Sequence, residues 1–73
     1  MERGVRVKYF VETDTALLEF SSNPPVETRE VNENIYVDLE SKSRVVSMTI
    51  EHAGQFADMN EFLFQRLPAN IPA

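Results

Sequence analysis

Cysteine and tryptophan are absent from this 73-residue chain, which carries one histidine and two glycines. Without cysteine there is neither a disulfide framework nor a thiolate zinc site. One histidine excludes a His-rich metal site, and no serine or threonine has an evident partner base. Gly4 and Gly54 alone make no glycine-rich phosphate loop. Long apolar runs are missing as well. The opening MERGVRVKYF is charged and lacks the apolar stretch of a secretory or membrane segment, so a cytoplasmic location without membrane contact is expected. Basic residues are scarce: seven Lys and Arg against twelve Asp and Glu leave a net charge of −5. Nucleic-acid binding depends on neutralising phosphates, so this surface is a poor match for it. A basic protein partner suits the charge, and solubility alone is the alternative reason for it.

At this length residues 1–73 form one domain with a thin core, burying only about 60–65% of the unfolded surface. Packing or self-association must then supply the stability. Val5, Val7, Tyr9 and Val11 alternate with Arg6, Lys8 and Phe10, the period of a half-buried strand. Glu12-Thr13-Asp14-Thr15 reads as a tight reversal, with Asp14 ordering the turn. Ala16, Leu18 and Phe20 then alternate with Leu17 and Glu19, completing a hairpin. Pro24-Pro25 marks an extended connector. Val31, Ile35, Val37 and Leu39 share one parity, so Val31 continues one strand across Asn32-Glu33-Asn34, bent there by a bulge or a left-handed residue. After Ser41-Lys42-Ser43-Arg44, the residues Val46, Met48 and Ile50 face one way.

The period then changes. Asp58-Met59-Asn60-Glu61 has the spacing of a capping box, and Met59, Phe62, Leu63 and Leu67 fall on one helical stripe that Pro68 stops. The expected architecture is therefore α+β: a four-stranded antiparallel meander over 5–53, a helical extension over 54–68 packed on one face, and a loose tail over 69–73. The helix would cover Val7, Tyr9, Leu18, Phe20, Val37, Leu39, Met48 and Ile50. Packing on the other face would invert that assignment.

With the core so assigned, the second face carries Phe10, Leu17, Tyr36, Asp38 and Val45 among charged neighbours. Such a patch on a small domain fits a protein interface, although scattered surface apolars also occur without function. Asp38 beside a cross-strand Lys8 or Arg6 would be an ordinary surface pair worth under about 1 kcal/mol. Phe62 and Phe64 add apolar surface beyond one helical stripe and, with unpaired sheet edges, point to a homodimer. No catalytic constellation emerges and no cofactor is implied. His52 reads as a hydrogen-bonding junction residue. The acidic residues Glu12, Asp14 and Glu19 or Glu27, Glu30 and Glu33 would serve an enzyme, ligand-binding domain or cation site only by converging in a cleft.

Several elements in order resemble a family of short prokaryotic proteins, domain of unknown function 2283. They are YFVETDTALLEF over Tyr9–Phe20, ETREV over Glu27–Val31, and IYVDLESKSRVVSMTIEHA over Ile35–Ala53. Here Ser41-Lys42-Ser43 replaces the family's Asp-Gly turn, and the segment after Gly54 extends past the family core. The resemblance implies no established activity. It implies a non-enzymatic partner-binding role, an antitoxin-like masking of a basic protein such as a ribonuclease. A small enzyme or ligand-binding domain using the acidic cluster, or a purely structural oligomer, are the alternatives.

Overall fold

The first hairpin forms where the period-two alternation places it. In the computed structural model, which describes residues 4–69, strand β1 (Arg6–Phe10) pairs antiparallel with β2 (Thr15–Glu19). The register sets Val7 against Leu18 and Tyr9 against Ala16. Three further strands follow: β3 (Glu27–Asn32), β4 (Ile35–Leu39) and β5 (Val45–Glu51). All five share one antiparallel sheet in the order β1-β2-β5-β4-β3.

This corrects the expected four-stranded meander. The apolar parity of Val31 and Ile35 suggested one bent strand, but the chain reverses completely at Glu33-Asn34. The side chain of Asn32 drives the reversal by accepting the backbone N–H of Asn34 at 2.8 Å, a local bond that competes with continued ladder pairing. Neither asparagine is left-handed, since the positive-φ residues among those described are Asp14, Lys42, Ser43 and His52. A register shift between Glu30 and Asn32 sets Val31 off the ladder.

Sequence neighbours β2 and β3 are not spatial neighbours. The connection after Glu19 must pass the ends of β5 and β4, about 14 Å at three strand spacings. Its extended residues reach that far, and Pro24-Pro25 holds them extended without N–H groups that would need partners. Phe20 and Ser21 donate backbone N–H bonds to Val46 O at one end, and Val26 donates to Leu39 O at the other.

No α-helix occurs among the described residues; beyond the strands there are only two 3-10 turns, Ser41–Ser43 and Ala53–Gln55. The fold is mostly β, not α+β. The capping signal at Asp58 is satisfied locally, with Asn60 N–H donating to Asp58 Oδ1 at 3.0 Å and Glu61 N–H to Asp58 O at 3.3 Å. One turn does not propagate. Helix nucleation is costly, and segments under about 12 residues are marginal unless an apolar stripe packs on something. Here every residue from Asn60 to Ala69 is exposed. Of the loose tail expected over 69–73, residues 70–73 lie outside those described.

Register assigns the two faces. One carries the rows Val7, Leu18, Met48, Val37 and Tyr9, Ala16, Ile50, Ile35. At its end Val45 and Val46 share one partner, Leu39, across a bulge. Burial is concentrated in Ala16, Leu39, Val46 and Ala53. The other apolar residues of these two rows are half-buried, except the exposed Val7, and no side chain is entirely enclosed.

Candidate functional site

The opposite face is polar and continuous. One cross-strand row runs Arg6, Glu19, Ser47, Asp38, Thr28, and the next runs Lys8, Leu17, Thr49, Tyr36, Glu30. Phe10, Leu17, Tyr36 and Asp38 therefore share a face. Val45 does not join them, because the bulge sets it opposite Leu39. Phe62 and Phe64 are 69% and 77% exposed on the irregular segment after the sheet.

Asp38 has different neighbours from those expected. Strand order puts β1 three places from β4, out of reach of a cross-strand pair with Lys8 or Arg6. Instead Thr28 donates its hydroxyl to Asp38 Oδ1 at 2.5 Å, and Ser47 donates to Oδ2 at 2.8 Å. Both carboxylate oxygens are used, which pins Asp38 as the middle of a three-strand polar brace. Lys8 pairs with Glu19 at 3.2 Å. Charge is unevenly spread over the face. Its cations, Arg6 and Lys8, stand on β1, while Glu51, Glu30 and Glu33 surround Tyr36 and hold its phenol above the usual range, Glu51 most strongly.

A second polar cluster closes one corner of the sheet. Asp14 sits at φ 55 in the β1–β2 turn, and its Oδ1 accepts the Tyr9 hydroxyl at 2.5 Å and the Gly54 N–H at 2.9 Å. Its backbone oxygen accepts Ala53 N–H at 2.9 Å. The Tyr9 bond, then the Gly54 bond, lowers the Asp14 pKa, and the Tyr9 phenol is raised by the same contact. The approach at Gly54 is close: a Cβ there would lie 3.0 Å from Asp14 Oδ1, so the carboxylate would have to shift by a few tenths of an ångström. His52, left-handed at φ 56, lies beside it, its Nδ1 donating to Asn34 Oδ1 at 3.1 Å. Asp14 thus does more than order its own turn. It latches the first hairpin to the end of β5, a link across 40 residues that local sequence patterns do not display.

Every polar partner in this corner is a fold contact. Among the described residues no three of His, Asp and Glu converge to hold a metal ion, and no helix is long and apolar enough to cross a membrane.

Residues 6–53 match the family model described as protein of unknown function (DUF2283). That span is well over half of the chain. The chain belongs to the DUF2283 family. No curated protein and no solved structure matches it. The DUF2283 region begins with β1 and ends at Ala53, the residue whose N–H binds Asp14 O. It comprises the sheet and the Ala53–Asp14 bond of the corner latch, while Gly54 and the segment after it lie beyond it.

Proposed function

We propose that this DUF2283 protein is a non-enzymatic binding module whose polar face receives a basic protein partner. The observation that carries the reading is the half-buried Tyr36 set among Glu30, Glu33 and Glu51, with Leu17 in the same cross-strand row. An aromatic ring ringed by carboxylates offers a Lys or Arg side chain both a stacking surface and an opposite charge. The net charge of −5 favours encounter with such a partner. An antitoxin-like masking of a basic protein is the biological form of this reading, and the cytoplasm its setting.

The test is co-expression with the basic products of adjacent genes, followed by size-exclusion chromatography of the tagged complex. Tyr36→Ala is expected to weaken the complex at least tenfold, and Glu30→Lys to weaken it further at low salt. A chain that forms no complex with any such neighbour, at low or physiological ionic strength, refutes the reading.

A further inference from the structure

The apolar face has no second layer, although stable domains bury a sheet face against another element. Leu18, Val37, Met48, Ile35 and Ile50 form its centre, and the segment expected to cover them, 54–68, forms no helix and is exposed but for the half-buried Met59. Among the strand residues, charged side chains stand on this face only on the edge strand β3, where Arg29 Nε donates to Glu27 Oε2 at 2.8 Å. An uncharged centre with a neutralised ionic rim is the composition of a protein interface.

Two measures give the size of what is missing. A compact monomer of this 8.4 kDa mass exposes about 4,600 Å², whereas this chain exposes 6331 Å². Its radius of gyration is 14.1 Å, against about 11 Å for a compact chain of this length. The excess, about 1,700 Å² per chain, is more than the roughly 800 Å² that each partner of a standard interface buries.

We infer that a second copy of this chain covers the apolar face, sheet against sheet, about a two-fold axis near Met48. A five-stranded sheet of five-residue strands has a flat footprint of only about 400 Å², half of the roughly 800 Å² each partner of a standard interface buries. Residues 60–69 supply the remainder, because Phe62, Leu63, Phe64 and Leu67 are all at least 65% exposed. Each copy's exposed segment lies against the other copy. Stacked sheets about 10 Å apart then bury the half-exposed rows that one chain leaves open. The inference concerns the face opposite Tyr36 and stands apart from the proposed partner.

Sedimentation velocity of the full chain at micromolar concentration tests it. The expected species has twice the 8.4 kDa chain mass. Met48→Lys is expected to abolish it. Because that variant also risks unfolding, Phe64→Asp, at a residue 77% exposed, is the companion, expected to raise the dimer dissociation constant at least tenfold with the sheet intact by circular dichroism. Isotope-filtered NOEs from the Met48 methyl of one copy to Leu18 or Val37 of the other would place the contact. A folded monomer at high micromolar concentration overturns the inference, whether its own tail or nothing covers the face. So does a dimer that survives both substitutions. Tyr36→Ala leaves the dimer mass unchanged, so the failure of one proposal is distinguishable from the failure of the other.

Discussion

Leu39→Ala probes how much of this small fold rests on a few positions. Leu39 is 5% exposed, faces Val45 and Val46 across the bulge, and accepts the Val26 N–H through its carbonyl at 2.8 Å. The substitution keeps the backbone bond and deletes the side chain that fills the bulged corner. Leu→Ala changes at buried sites cost about 2–5 kcal/mol, the lower end applying where neighbours can relax. With most neighbouring apolar residues half-buried, about 2–3 kcal/mol is expected. A domain of 73 residues has about 4–11 kcal/mol in total, so the loss is a large share of it. At about 4–8 °C per kcal/mol, the melting temperature should fall by roughly 10–20 °C. Thermal unfolding followed by far-UV circular dichroism, at one fixed protein concentration, reads this directly. Val11→Ala, at a hairpin residue 77% exposed, is the control and should stay within about 0.5 kcal/mol of the wild type. A fall of under about 4 °C in Leu39→Ala, no larger than that of the control, would show that the bulged corner is not the core.

The Tyr9–Asp14 bond predicts two pH limbs. Asp14, with its folded pKa lowered, contributes stability that is full above about pH 4 and is lost as acid passes through the lower folded value; Tyr9, with its pKa raised, contributes stability that is full below about pH 10 and is lost as alkali passes through the raised one. Tyr9→Phe should flatten the alkaline limb and shallow the acid one, and melting profiles that superimpose on the wild type would sink this assignment. Gly54→Ala should lower the melting temperature and return the Asp14 pKa upward, read by carboxyl ¹³C titration, because the new methyl crowds the carboxylate at 3.0 Å. Ser43→Gly should stabilise the chain by about 0.5–1 kcal/mol in urea unfolding, since Ser43 sits at φ 59 where a side chain is strained; a loss of stability there would contradict the left-handed turn.

The elements written in local periodicity were legible from the sequence. β1, β2 and β5 follow from strict alternation, and the segments ETREV and IYVDL are visible as apolar-polar runs. What separates them was not legible, because Val31 and Ile35 keep one parity whether the chain bends or reverses. The deciding interaction is the single Asn32–Asn34 bond. Strand order escaped for a related reason: a seven-residue connector with two prolines fits a neighbouring strand as well as a strand three places away. The helix failed differently. Its cap and stripe are both present in the sequence, but in the structure the stripe packs on nothing, residues 60–69 being exposed, and so short a helix does not persist unpacked. At the candidate site, parity alone put Phe10, Leu17, Tyr36 and Asp38 on one face, as the register does. Val45 was misplaced because one bulge between Asp38 and Leu39 changes which residue stands opposite. The Asp14–Gly54 latch joins residues 40 apart and left no periodic trace.

The two proposed contacts use opposite faces of one sheet, and their electrostatics run in opposite directions. Pairing two chains of net charge −5 brings like charges within a few Debye lengths, each about 8 Å at physiological ionic strength. Added salt screens that repulsion and strengthens burial of the uncharged Met48 face. The same salt weakens attraction between a basic partner and the carboxylates around Tyr36. A sheet dimer turns both Tyr36 faces outward, so each dimer offers two acidic sites, and a partner with two basic segments gains from the pairing without any new contact. Rising ionic strength should therefore tighten the homodimer in sedimentation while loosening the complex with a basic protein. Two associations that strengthen or weaken together would mean that one face serves both, and the division of the sheet into an apolar self-contact and an acidic partner site would be wrong.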